Sequence, residues 1–332
     1  MRILTLLAAS AFALAAVPAL SKHHEEAPTE EAVVAEKGTW ITLGTRGGPI
    51  TIPTRSQPAN LLVVGGKNYL VDVGDGAAGQ LSKAKMQTAM LDGVFISHLH
   101  FDHTGGLAAI FGLRFQTNAT STFTVYGPPG TQELVDGLLD SMTPGATANY
   151  GVPGAPAKDH RANIEVVELR DGAKMAIDGM KLSVRSNTHY SFVPGSDLAE
   201  RFQALSYRFD MPGRSIVYTG DTGPSTAVEE LAKDADLLVA EMMDVPLIVA
   251  AVVRNNPKMP AIAAMNMETH LTKHHLLPKD VGEMATRAGV KAVVVTHFAG
   301  AERNNPKFFE YLNTVAEYYD GPVVIASDMD AF

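Results

Sequence analysis

Gly93-Val94-Phe95-Ile96-Ser97-His98-Leu99-His100-Phe101-Asp102-His103-Thr104-Gly105-Gly106 is the stretch that decides the fold. Gly93 to Ser97 is small or apolar and reads as a short buried strand that runs directly into His98. With the backbone still extended at His100, the two imidazoles point to one side. Asp102 and His103 follow in the turn before a helix predicted over Leu107 to Phe115. Four ligand-type side chains in six residues therefore face one small volume. One zinc takes four ligands, or three and a water. With distant residues added, the set exceeds one ion and suits a pair about 3.5–4 Å apart, bridged by an Asp and a water. A lone histidine is usually structural and H-x-H arises often by chance, but the full H-x-H-x-D-H run is much rarer.

Two further polar residues share the setting of His98. Asp221 follows Ile216-Val217-Tyr218-Thr219-Gly220, and His297 follows Val293-Val294-Val295-Thr296. Strand ends are where α/β folds assemble sites, because the sheet holds the backbone and the loops leave room for a ligand. Working outward, strand-like and helix-like pieces alternate. Thr39 to Leu43 reads as a strand, and Asn60 to Val64 and Tyr69 to Val73 as two strands joined by Gly65-Gly66. Ala78 to Met90 and Thr131 to Ser141 have helical spacing. Thr143 to Asp159, rich in Gly, Pro and Ala, reads as a long loop. Strands are expected at 164–169, 175–177, 181–185, 205–209, 215–219, 237–240, 292–296 and 323–326, and helices at 228–233, 279–288 and 306–318. This pattern fits an α/β fold in which two mixed sheets pack face to face with helices outside.

The ends of the chain read differently. Met1-Arg2, an apolar run from Ile3 to Val17 and the small residues near Ala19 have the layout of a secretory signal peptide over residues 1–20, with an uncleaved anchor as the alternative. Residues 21–37 form an acidic linker without aromatics, in which His23 and His24 read as surface filler. One folded domain is expected over 38–332. The location implied is periplasmic or secreted, with no membrane span in the mature chain. The 332 residues contain no cysteine, so any metal is held by nitrogen and oxygen. A formal charge of −9 and the lack of a Lys/Arg cluster speak against a long nucleic acid as substrate.

At these residues the chain resembles the metallo-β-lactamase superfamily, across essentially all of the expected domain. The resemblance implies a four-layer αββα sandwich and seven metal ligands. His98, His100 and His189 would hold a first metal, Asp102, His103 and His297 a second, and Asp221 would bridge them. His189 sits in Ser186-Asn187-Thr188-His189 and Asp221 in Thr219-Gly220-Asp221-Thr222, like the family's G-D-T motif. Within the family the chain is most similar to ribonuclease Z and secreted arylsulfatase-like hydrolases. Leu43-Gly44-Thr45-Arg46-Gly47-Gly48-Pro49 and Val71-Asp72-Val73-Gly74-Asp75-Gly76 resemble two segments of that branch. Glu241, closing Ala235 to Glu241, and His275, opening His275 to Gly282, resemble its functional Glu and its extra catalytic His. His270 is a rival for that histidine, and a plain structural ion pair is the other reading of Glu241 and His275. His274 and His160 read as surface residues. The arm with which ribonuclease Z grips transfer RNA has no clear counterpart, and 143–159 lacks the basic residues it would want.

The expected activity is hydrolysis of a small-molecule phosphodiester or sulfate ester by a hydroxide bridging two divalent ions, with zinc the expected metal. Asp102 would also orient that hydroxide, and His275, held by Glu241, would protonate the leaving oxygen. A lactone or β-lactam hydrolase of the same fold is one alternative. A metal-binding protein with little activity is another. Val245 to Met267, with Met259, Met265 and Met267 and two prolines, would line an apolar pocket or pack as ordinary core.

Overall fold

A computed structural model describes residues 38–332. The signal-peptide and linker readings, with His23 and His24, lie outside the described residues. Each half of the chain builds one sheet. The first has strand order β1-β2-β3-β4-β5-β6, with β1 Thr39–Gly44, β2 Ala59–Val64, β3 Lys67–Val73, β4 Gly93–Phe95, β5 Phe123–Gly127 and β6 Ile164–Glu168. The second has order β13-β12-β11-β10-β9-β8-β7, with β7 Lys174–Ile177, β8 Met180–Ser186, β9 Leu205–Met211, β10 Arg214–Tyr218, β11 Leu237–Met243, β12 Val293–Ala299 and β13 Val323–Ile325. Pairing is antiparallel through β1, β2 and β3 and parallel from β3 to β6. In the second sheet it is antiparallel from β7 to β10 and parallel from β10 to β13.

The period-2 rule explains why the parallel strands are apolar throughout. Ile216, Tyr218, Val239 and Val294 point between the sheets, where they meet Trp40, Tyr69, Phe95 and Phe209. Val217, Leu238, Val293 and Val295 point the other way, onto Val281, Met284 and Val315 of the outer helices. On the far face, Leu61, Leu70, Val94 and Ile96 pack against Leu107, Ile110 and Phe111. Helix, sheet, sheet and helix thus form the four layers expected. The last residue seals the first strand: Trp40 and Phe332 exchange backbone hydrogen bonds of 3.0 and 2.8 Å.

Three segments depart from expectation. The helix expected to Met90 stops at Lys83, and a separate short turn of helix spans Thr88–Met90. Buried Arg114 donates to the carbonyls of Thr88 and Leu91, and Lys85 turns the chain at φ 59°, so tertiary bonds replace a longer helix. The helix from Thr131 runs on to Ala148 through Pro144, taking in the first part of the expected loop. Tyr150 just beyond it donates to the Gln116 carbonyl at 2.6 Å and ties that end to the preceding helix. Residues 245–274 form two helices, Val245–Asn255 and Ala261–His274. Asp244 caps the first by accepting from the Leu247 N–H, Pro246 suits its first turn, and Pro257 and Pro260 fall in the link. Met265 is exposed in the second helix, whose residues include none that is fully buried. No helix among the described residues is long and apolar enough to cross a membrane.

Candidate metal centre

The site lies where the two sheets meet at one end. From the first sheet, Ser97 leaves β4 and the chain carries His98, His100, Asp102 and His103 into the short helix Phe101–Thr104. From the second, His189 follows β8, Asp221 follows β10, and Glu241 and His297 lie within β11 and β12. His297 is not past its strand, as expected from sequence, because β12 continues to Ala299. The register slips there: Ala240 pairs Val295 while Met242 pairs Phe298, so Glu241 faces two residues, Thr296 and His297. His297 takes φ 40°, a strained value for a side-chain-bearing residue. This bulge places its ring in the centre. Two glycines make the crowding possible. A Cβ on Gly47 would strike the His297 backbone, and one on Gly74 would strike the Asp102 carbonyl. The two glycine-containing segments noted in the sequence are therefore packed against the ligand loops.

All seven expected ligands converge. His98 Nε2 and His189 Nε2 lie 3.0 and 3.1 Å from His100 Nδ1. Nitrogens bound tetrahedrally about 2.0–2.1 Å from one zinc would stand about 3.3–3.4 Å apart, so little movement separates this triad from a binding geometry. The second group is looser. Asp102 Oδ2 is 3.7 Å from His103 Nε2 and 3.6 Å from His297 Nε2. Asp221 faces both groups, with Oδ1 3.3 Å from His103 Nε2 and Oδ2 3.3 Å from His297 Nε2 and 3.9 Å from His98 Nε2.

The residues fit divalent cations. Buried His103 Nε2 and Asp221 Oδ1 have no hydrogen-bond partner, a costly state that a bound cation relieves. On two of these histidines the other ring nitrogen is committed away from the centre. His189 Nδ1–H donates to the His274 carbonyl at 3.2 Å, and His103 Nδ1–H donates to Asp72 at 2.8 Å. These contacts assign the tautomers and leave each Nε2 lone pair pointing inward. Burial, with His103 and His189 close by, holds His98 well below its ordinary pKa. Burial works against ionisation of Asp221 and Asp102, but His297 and His103 hold Asp221 well below the usual range. His103 and His297 likewise hold Asp102 down at about 2. Both carboxylates stay charged, as a cation site requires.

Beside this centre, Glu241 is clamped. Its Oε1 accepts from the Thr222 N–H at 2.6 Å, and its Oε2 accepts from His275 Nδ1 at 2.7 Å. Burial lowers the pKa of His275, but Glu241 outweighs it and lifts the imidazole to about 9. His270, the rival, bonds Ser191 Oγ at 3.1 Å, and burial with His275 and His274 nearby lowers it to about 4. It is His275, then, that pairs with Glu241. His274 and His160 are half-buried, not plain surface residues: His274 meets the Thr188 carbonyl, and His160 donates to the Leu139 carbonyl at 2.8 Å.

Asp72 belongs to this centre, although the sequence assigns it no task. Fully buried, it accepts from Ser97 N and Oγ at 2.7 and 2.8 Å, from Tyr218 OH at 2.6 Å and from His103. The only sequence signal is its place in Val71 to Gly76. Partners that orient a metal-binding histidine are typically worth 10–100-fold in affinity. Asp72→Asn is expected to weaken zinc binding by about that factor. A competition titration with a chelator checks it, and an unchanged affinity would show that Asp72 serves packing alone.

Residues 67–298 match the family described as the beta-lactamase superfamily domain. A ribonuclease Z of Mycobacterium marinum is 30% identical over 264 residues, 79% of this chain and 86% of its own. The metallo-beta-lactamase fold protein YhfI of Bacillus subtilis superposes with a TM-score of 0.64 at 16% identity, over 89% of this chain and 98% of that one. The short form of human tRNase Z gives 0.58 at 20% identity, again over 89% and 98%. With such a match along most of its length, the chain belongs to the metallo-β-lactamase superfamily and is a hydrolase of that fold.

Proposed function

We propose that the protein is a two-metal phosphodiesterase, exported on the composition of residues 1–20, with 38–332 as its one catalytic domain. The observation that carries the reading is Asp221, one carboxylate set between two groups of donors, with His275 and Glu241 alongside. His98, His100 and His189 would hold one ion and Asp102, His103 and His297 the other. Asp221 would be shared, because a carboxylate offers two oxygens. When bound, such ions acidify a water toward neutrality and stabilise negative charge on the oxygens of the ester. Asp102 lines the cavity, where its carboxylate accepts a hydrogen bond from the attacking water and keeps it in line. His275 also lines the cavity. Its Nδ1–H is engaged by Glu241, so its other nitrogen gives a proton to the departing oxygen. The name ribonuclease Z on the relatives supports phosphorus as the reacting atom. An aryl sulfate presents similar oxygens to the same groups and is the second ester class within the proposal.

Metal analysis of the purified protein is expected to give about two equivalents of zinc or a similar ion. A panel of phosphodiester, aryl sulfate, lactone and β-lactam is expected to show turnover of the phosphodiester. One equivalent or none would sink the two-ion reading. Preference for the lactone or β-lactam would sink the ester reading.

A further inference from the structure

The cavity above the histidines, about 410 Å³, has two unlike parts. Its floor is polar, with His100, Asp102, His189, Asp221 and His275. Its walls are apolar. Ile50, Leu99 and Phe101 stand on one side, and Met243, Ile248, Val252 and Leu271 on the other. The second wall comes from Met243 at the end of β11 and from the helices Val245–Asn255 and Ala261–His274, the latter also bringing His270 to the cavity. These pack into a small core of their own, where Met243, Val245, Ile248 and Ala299 meet Val252 and Leu271. The three methionines singled out in the sequence do not line the cavity.

An apolar wall does nothing for water activation or for binding an anionic phosphate. It lowers the free energy only of a ligand that brings apolar surface to it. Phe101 sharpens the point: it stands 86% exposed in the midst of the ligand run, at the edge of the cavity it helps to line. A polynucleotide would ask for a row of cations instead. Among the described residues Arg46 is the only Lys or Arg lining the cavity, and its Nε is taken by the Ile50 carbonyl at 3.2 Å.

We infer that the substrate, on the phosphodiester reading above, is a small amphiphile. Its charged ester sits on the histidine floor, and an alkyl or aryl arm lies between Phe101 and the wall of Ile248, Val252 and Leu271. The helix pair 245–274 is thus a specificity element that selects esters by their apolar arm.

The test compares 4-nitrophenyl hexyl phosphate with 4-nitrophenyl methyl phosphate, which share a leaving group and differ only in the arm. The hexyl ester is expected to show kcat/KM at least about tenfold higher, mostly through KM. Leu271→Ala is expected to cut the hexyl-to-methyl ratio of kcat/KM severalfold, whatever it does to the absolute rates. Val252→Ala serves as a second variant should Leu271→Ala melt early. In parallel, calorimetry compares hexylphosphonate with methylphosphonate, and the hexyl compound is expected to bind about tenfold tighter. This keeps the two ideas separable. If neither phosphodiester is cleaved, the proposed reaction fails while the phosphonate ratio still judges the arm. Equal values for hexyl and methyl in every assay that responds would overturn the inference. So would a hexyl preference untouched by both variants, or faster cleavage of the 4-nitrophenyl ester of thymidine 5′-phosphate than of the hexyl ester.

Discussion

Asp221→Ala is expected to lower phosphodiester turnover by about a thousandfold or more and to reduce bound metal to one equivalent or less. The size follows from its position. Its two oxygens lie 3.3 Å from nitrogens of His103 and His297, and Oδ2 is also within 4.0 Å of His98 and His189. No other carboxylate among the described residues faces both groups at these distances. Removing it also takes away the carboxylate that stands 3.3 Å from buried His103 Nε2 and opens a gap at the heart of the centre. Asp221→Asn therefore accompanies the alanine variant, since it keeps the shape and one oxygen. Metal content and melting temperature, read together, separate loss of a ligand from loss of the fold. A fully loaded, fully active Asp221→Asn would refute the bridging role.

His275→Ala should leave metal content unchanged and act on the leaving group. A misplaced general acid typically costs about 10²–10⁴-fold. That loss is expected for esters with an alkoxide leaving group, which needs a proton. It should fall to less than about tenfold for 4-nitrophenyl esters, whose leaving group departs as the anion. Glu241→Gln, which keeps a hydrogen bond to His275 but not the charge, is expected to fall between wild type and His275→Ala. An equal loss for both leaving groups would make the pair a structural contact and not a proton donor.

Much of this was legible in the residues. Apolar runs such as Val293-Val294-Val295 announce strands buried on both faces, and a polar residue straight after one is conspicuous. His98, Asp221 and His297 were visible for that reason. Other features depend on packing that no local pattern carries. Arg114 ends the helix at Lys83 by claiming the carbonyls of Thr88 and Leu91. Pro257 and Pro260 read as interruptions of a single segment, whereas they join two helices that wall the cavity. Asp72 looks like any strand residue until the fold brings Ser97, His103 and Tyr218 to its oxygens. The choice between His270 and His275 likewise turned on which of them Glu241 reaches.

On the proposed two-metal reading, the bulge at His297 bears on when the centre would take up its ions. During synthesis the His98 to His103 loop emerges with the first sheet, while His297 is made near the end and is turned inward only by the pairing of β11 with β12. A nascent chain therefore carries loose imidazoles and carboxylates that would take up ions in their general order of affinity. The finished centre imposes its own spacing and charge. On that reading, metal choice would thus be deferred to the assembled molecule.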